Sequence, residues 1–164
     1  MFYRVKQFLQ ALYPRITPVE LQYVQHTVPP EALPLFLSQS VAEQRHALNV
    51  VKHLAAWKSL TADEYLTLVL AALFHDCGKS RVGIKLWERV FIVLANQAPG
   101  WLKPTITRSR LFAHPLQIAS QHADWGCALA RASGLPPLVC YLIQEHHHPT
   151  TALGRLLQKA DNLS

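Results

Sequence analysis

Apolar positions recur with a helical period along most of this chain, and the breaks between patterns are sharp. Phe2, Val5, Leu9 and Leu12 fall on one face of a first amphipathic helix, ended by Pro14. Thr17-Pro18-Val19-Glu20 then supplies a capping residue, a proline at the first helical position and a glutamate three residues after the cap, which together start a helix. Pro29, Pro30 and Pro34 predict a short irregular segment. The capping-box pattern recurs at Ser40 to Glu43, opening a long helix to about Ser59, and at Thr61 to Glu64, opening the next. Ile84, Trp87, Val90, Phe91 and Leu94 predict a helix over about Val82 to Asn96, and Pro99 to Ala113 reads as a long loop. Pro115 suits a first helical turn, which would put His114 at the cap, and Gly134 ends that helix. Another helix starts at Pro136-Pro137 and runs into His146-His147-His148-Pro149, and the last begins at Thr151. No sustained alternation of period two argues for strands. The expected fold is all-α, a compact single-domain helical bundle, with residues 1–39 forming N-terminal helices that pack on the same domain as 40–164.

At 164 residues the chain can bury about 70% of the surface its unfolded form exposes, enough for one substantial core. Half the residues are hydrophobic. The longest apolar runs, such as Leu68 to Phe74, fall far short of the roughly 20 residues of a membrane span. The first ten residues lack the basic and apolar regions of an export signal, so a cytoplasmic location is expected. Cys77, Cys127 and Cys140 have no metal-ligand spacing and suit reduced core thiols. The charge is uneven. From Lys79 to Arg110 there are seven basic residues and one acid, so the whole net charge of +6 resides there. Such a field just after residues 75 and 76 attracts a phosphorylated small molecule, while binding to nucleic acid is less favoured.

The candidate chemistry centres on His75-Asp76, at the end of the apolar stretch Tyr65 to Phe74 and followed by Cys77-Gly78-Lys79. An imidazole and a carboxylate at the end of a buried helix need a compensating partner, and a divalent cation is the simplest. Gly78 lets the chain turn away, and Lys79 places a cation near an anion held there. His46, among Val41, Ala47, Val50 and Val51, and Asp161, at the end of an apolar helical stretch, are further candidates that are weak alone. His53 lies about 10 Å along the helix from His46 and reads as a core or rim histidine. His122 reads as a satisfied helical histidine and His26 as a surface one.

Together His46, His75, Asp76 and Asp161 resemble the H…HD…D signature of the HD superfamily of metal-dependent phosphohydrolases. The stretches QRHALNVVKHL, AALFHDCGKS and LLQKADNLS resemble its three motifs in order, and the resemblance covers about Ser40 to the C-terminus. The segment HPLQIASQHADWGCALARASGLPPLVCYLIQEHHHP is similar to that of the dinuclear HDIG and HD-GYP subgroups, although no GYP sequence follows.

The resemblance implies a site of two divalent ions, drawn from Fe, Mn, Co or Zn. One ion would be held by His46, His75, Asp76 and Asp161; the other by Asp76 as bridge with His114 and His146, His147 being the second choice after His146. It implies a phosphodiesterase-like phosphohydrolase that acts on a nucleotide or related small molecule through a metal-activated hydroxide. Asp76 and Lys79 would be catalytic, and Lys79, Arg81, Arg108 and Arg110 would bind substrate. Two alternatives stay open: a single-metal nucleoside monophosphate phosphatase and a non-catalytic nucleotide-binding regulatory domain.

Overall fold

Three capping boxes set the helical register of the N-terminal half. The computed structural model describes residues 14–57, 59–82 and 110–164, apart from the side chains of 81–82 and 110–120. The helix expected over 2–12 lies outside the described residues, as do positions 83–96 of the helix expected from about Val82 and positions 99–109 of the expected loop. The described elements are α1 (Pro18–Thr27), α2 (Leu33–Ser38), α3 (Val41–Leu54), α4 (Ala62–Phe74), a 3₁₀ turn (Cys77–Val82), α5 (Arg110–Ala132), α6 (Pro137–Glu145) and α7 (Ala152–Asn162). The fold is all-α, with no strand among the described residues. The hydroxyls of Thr17, Ser40 and Thr61 accept from the N–H groups of Glu20, Glu43 and Glu64, and each glutamate accepts from its cap residue's N–H in return. Each cap contributes about 1 kcal/mol.

Three boundaries differ from expectation. Pro34 stands in the first turn of α2, so the proline that suggested irregular chain starts a six-residue helix instead. Helix α3 stops at Leu54, where the Trp57 N–H turns back to the Leu54 carbonyl (3.1 Å) and the indole packs on the core. Helix α5 already includes Arg110, so His114 is not its cap; the helix carries Pro115 at the loss of one backbone hydrogen bond. Gly134 does end α5. Its φ of 75° is open to glycine without strain, and the Leu135 N–H reaches the Ala130 carbonyl (3.1 Å) while Gly134 N–H reaches that of Arg131 (3.1 Å).

Helix α4 runs through the middle and touches α3, α6 and α7. Every residue from Leu68 to Phe74 is buried, and each large side chain contributes roughly 1.5–3 kcal/mol on leaving water. Phe74 meets Phe36 of α2 edge-on, with centroids 6.3 Å apart. The Gln39 side chain donates to the Leu73 carbonyl (3.0 Å), satisfying one acceptor that the helix end leaves open just before His75. Helix α5 packs against the 3₁₀ turn and α6, and α7 closes the assembly against α3, α4 and α6.

Glu20 ties α1 to α3. Its carboxylate accepts from both terminal guanidinium nitrogens of Arg45 (2.7 and 2.5 Å) and from the Lys52 ammonium (2.9 Å), while Arg45 also donates to the Arg15 carbonyl. Hydrogen bonding from Arg45, against the opposing effect of burial, holds the Glu20 carboxyl well below the ordinary carboxylate range. A depressed native pKa contributes stability above the unfolded value of about 4.3 and loses it as pH falls through the native one. Glu20→Gln should therefore destabilise the protein at pH 7 by about 1–3 kcal/mol. In urea unfolding curves the gap from the unsubstituted protein should close in strongly acidic solution, and a gap unchanged by pH would show that the charge is not its source.

Candidate metal centre

Five helices deliver imidazoles and carboxylates to one place. His46 stands on α3, His75 and Asp76 follow α4, His122 lies on α5, His146 and His147 follow α6, and Asp161 is near the end of α7. His75, His122 and His146 are 1%, 3% and 1% exposed at the side chain, whereas His46, Lys79 and Asp161 are 32%, 27% and 23% exposed. The former make a floor and the latter a rim, with His147 exposed beside them.

The ligand atoms fall into two groups, in each of which every pair lies within 4.8 Å: His46, His75 and Asp76, and His122, His146 and His147. Asp161 joins the first, with Oδ1 2.8 Å from His46 Nε2 and 3.6 Å from His75 Nε2. In the second, His122 Nε2 lies 3.4 Å from His146 Nε2 and 2.9 Å from His147 Nε2. Asp76 stands between them. Its Oδ2 is 3.7 Å from His75 Nε2 and 2.6 Å from Lys79 Nζ, while its Oδ1 is 3.5 Å from His122 Nε2 and 3.9 Å from His146 Nε2.

Hydrogen bonds at the helix ends assign the tautomers of the two most buried rings. His75 Nδ1 donates to the Ala72 carbonyl (2.9 Å) and His146 Nδ1 to the Ile143 carbonyl (2.6 Å), so in the neutral rings both Nε2 atoms are bare lone pairs. His75 Nε2 is buried and has no hydrogen-bond partner. It faces two carboxylate oxygens, an arrangement that is repulsive unless a positive charge lies among them. Ligand atoms around a tetrahedral ion with bonds of about 2.1 Å are roughly 3.4 Å apart. The separations here fit that span, and mixed imidazole and carboxylate donors suit a first-row transition ion or zinc. The residues present fit a metal.

The electrostatics agree. Burial disfavours the imidazolium of His75, but the carboxylates of Asp76 and Asp161 outweigh it and raise its proton affinity. Burial likewise works against the carboxylates, yet Lys79, His75 and His122 draw Asp76 well below its ordinary range, and the hydrogen bond with His46, with the His75 ring close by, does the same for Asp161. Burial, with His75 and His147 close by, lowers His146 to about 3, and burial also lowers His147, so both rings favour the neutral form at pH 7. Cys77 is a core thiol: burial, with Asp76 adjacent, pushes it up to about 12.

The sequence expected His46, His75, Asp76, Asp161 and Lys79 in one place, with His146 and His147 as first and second choices from the triplet; the structure brings all seven together. The side chains of Arg81, Arg110 and His114 and the whole of Arg108 lie outside the described residues. His122 is a correction to the sequence reading. It is a buried member of the second group, where the sequence favoured a satisfied helical histidine apart from the site. Gly126 carried a signal for it. A glycine four residues on along the same helical face marks a close approach, and a Cβ on Gly126 would sit 3.3 Å from the Gly78 amide nitrogen of the dyad turn.

A helical domain with a His-Asp pair after its central helix, completed by histidine and aspartate from flanking helices, is an arrangement that could hold a metal ion. The HD domain family model matches residues 44–164, nearly three quarters of the chain, and the chain belongs to that family, whose members are typically metal-dependent phosphohydrolases. Neither a search of curated proteins nor one of solved structures finds a match. Among the described residues no helix is long and apolar enough to cross a membrane.

Proposed function

We propose that this HD domain is a dinuclear phosphohydrolase, cleaving a phosphate ester of a nucleotide or related small molecule. One ion would be held by His46, His75, Asp76 and Asp161, the other by Asp76, His122, His146 and His147. The observation that carries this reading is Asp76, which turns one carboxylate oxygen toward each cluster. In this assignment His122 takes the role that the family resemblance implied for His114, whose backbone is about 12 Å from that of His122 along α5.

Bound divalent ions supply a Lewis acid and a nucleophile generated from water near neutral pH. The chain's own residues do the rest. The buried rings exclude bulk water from the floor, while the partly exposed rim of His46, Asp161 and Lys79 is the side from which a phosphoryl group would approach. Lys79, at the rim, can exchange its bond to Asp76 for a phosphoryl oxygen and offset charge that grows there. Arg81, Arg108 and Arg110 are proposed to extend that positive field along the substrate.

The test is a turnover screen of anaerobically purified, metal-loaded protein against nucleoside monophosphates, cyclic nucleotides, dinucleoside polyphosphates and generic phosphodiesters, with the metal counted in the same samples. Two ions per chain and hydrolysis of one class support the reading. Tight nucleotide binding without turnover under any metal would select the regulatory alternative. His122→Ala should lose one ion and at least about 10²-fold in turnover, whereas His114→Ala should keep both ions; the reverse pattern would restore His114 as ligand. A second reading has one observation in its favour, since the 2.9 Å spacing of His122 and His147 also suits a single N–H···N hydrogen bond. One ion per chain with active His122→Ala would establish that mononuclear phosphatase.

A further inference from the structure

We infer that Glu145 is the positioning residue of the histidine-rich group, a buried carboxylate that closes the α6–α7 connection into a fixed loop and so aims His146 and His147. The inference rests on the dinuclear reading above. Glu145 is the last residue of α6 and is 7% exposed. Its side chain reaches forward across the connection. Oε2 accepts from Thr150 N (2.7 Å), Thr150 Oγ1 (2.6 Å) and Thr151 N (3.3 Å), and Oε1 accepts from the Thr151 hydroxyl. Thr151 is the cap of α7, and its own oxygen accepts from Gly154 N (2.9 Å). One carboxylate thus joins the end of the helix that presents His146 to the start of the helix that carries Asp161.

The rest of the connection is held to the same frame. His148 N donates to the Glu145 carbonyl (2.8 Å), and the Gln158 side chain donates to the His147 carbonyl (2.8 Å). Gly154 leaves the space that Glu145 fills, because a Cβ there would overlap Oε1 and lie 2.8 Å from the carboxylate carbon. A carboxylate with four donors converging on it is far more directional than loop packing alone. Groups that orient metal ligands without touching the ion typically change metal affinity by roughly 10–100-fold when removed.

The experiment is a cobalt(II) titration of the full chain followed by visible absorption, with His122→Ala identifying the phase that belongs to the histidine-rich group. Glu145→Ala should weaken that phase by about 10–100-fold and shift its absorption bands, while the phase assigned to His46, His75, Asp76 and Asp161 moves by no more than about twofold. Glu145→Gln, which keeps the shape and one acceptor, should fall between the two. Equal weakening of both phases would reduce Glu145 to a general structural role, and two unchanged phases would remove any role; either outcome overturns the inference. If metal-free Glu145→Ala does not melt cooperatively, Glu145→Gln decides: selective weakening of the histidine-rich phase upholds the inference, and native cobalt binding overturns it. Unsubstituted protein with no phase sensitive to His122→Ala would sink the dinuclear reading itself.

Discussion

Asp76→Asn should abolish turnover while leaving a folded helical protein. Asp76 faces both groups, so its loss would remove a donor from each at once. The amide keeps the volume and one acceptor oxygen but cannot present an anionic oxygen to both sides. It also releases Lys79, which is exposed enough to turn into solvent. We expect a loss on the order of 10³-fold in kcat/KM, the scale on which removal of one preorganised electrostatic group acts, with metal content falling below one ion per chain. Circular dichroism should stay helical, because the buried apolar part of α4 ends at Phe74, before the substitution. Retained turnover in Asp76→Asn with native metal content would take the reaction away from this site.

Gly78→Ala should do damage of another kind. A Cβ at this position would overlap the His122 carbonyl oxygen and lie 2.7 Å from the Gly126 amide nitrogen, both of them backbone atoms of α5 that no side-chain rotation can move aside. The 3₁₀ turn and α5 would have to separate. Overpacking of this sort costs about 1–3 kcal/mol and more against backbone, and a domain of this size loses roughly 2–4 °C in Tm for each kcal/mol. At the upper end of that cost, about 3 kcal/mol, the expected fall in Tm is about 6–12 °C. The separation also draws His122 away from Asp76, so metal binding by the histidine-rich group should weaken further than stability alone explains. A thermal melt and a metal titration check the two parts independently; a variant with native Tm would show that the turn has slack.

The features legible in the sequence are those whose causes are local. The caps Thr17, Ser40 and Thr61 each carry their glutamate three residues on, and the end of α5 depends on Gly134 alone, so a few residues decide each boundary. His75 and Asp76 stood out because polar atoms at the end of so apolar a helix demand a partner, and the family resemblance supplied His46 and Asp161. His122 did not stand out, because its role depends on two glycines 48 positions apart letting helix and turn touch through their backbones. Gly78 was read as a residue that frees the turn, yet Gly134 is the one described glycine with positive φ; Gly78 is needed for proximity instead. Glu145 was equally silent, since its partners Thr150 and Thr151 become partners only after the chain has folded back.

The rings of His75 and His146 are each pinned by Nδ1 to a carbonyl three residues earlier, in the terminal turn of their own helix. Two of the donors therefore acquire their aim as soon as their helices form, independent of any distant neighbour. An incoming ion would find those rotors already arrested, and the entropy normally surrendered when a ligand sphere assembles around a metal would, for these two, have been spent by the secondary structure beforehand.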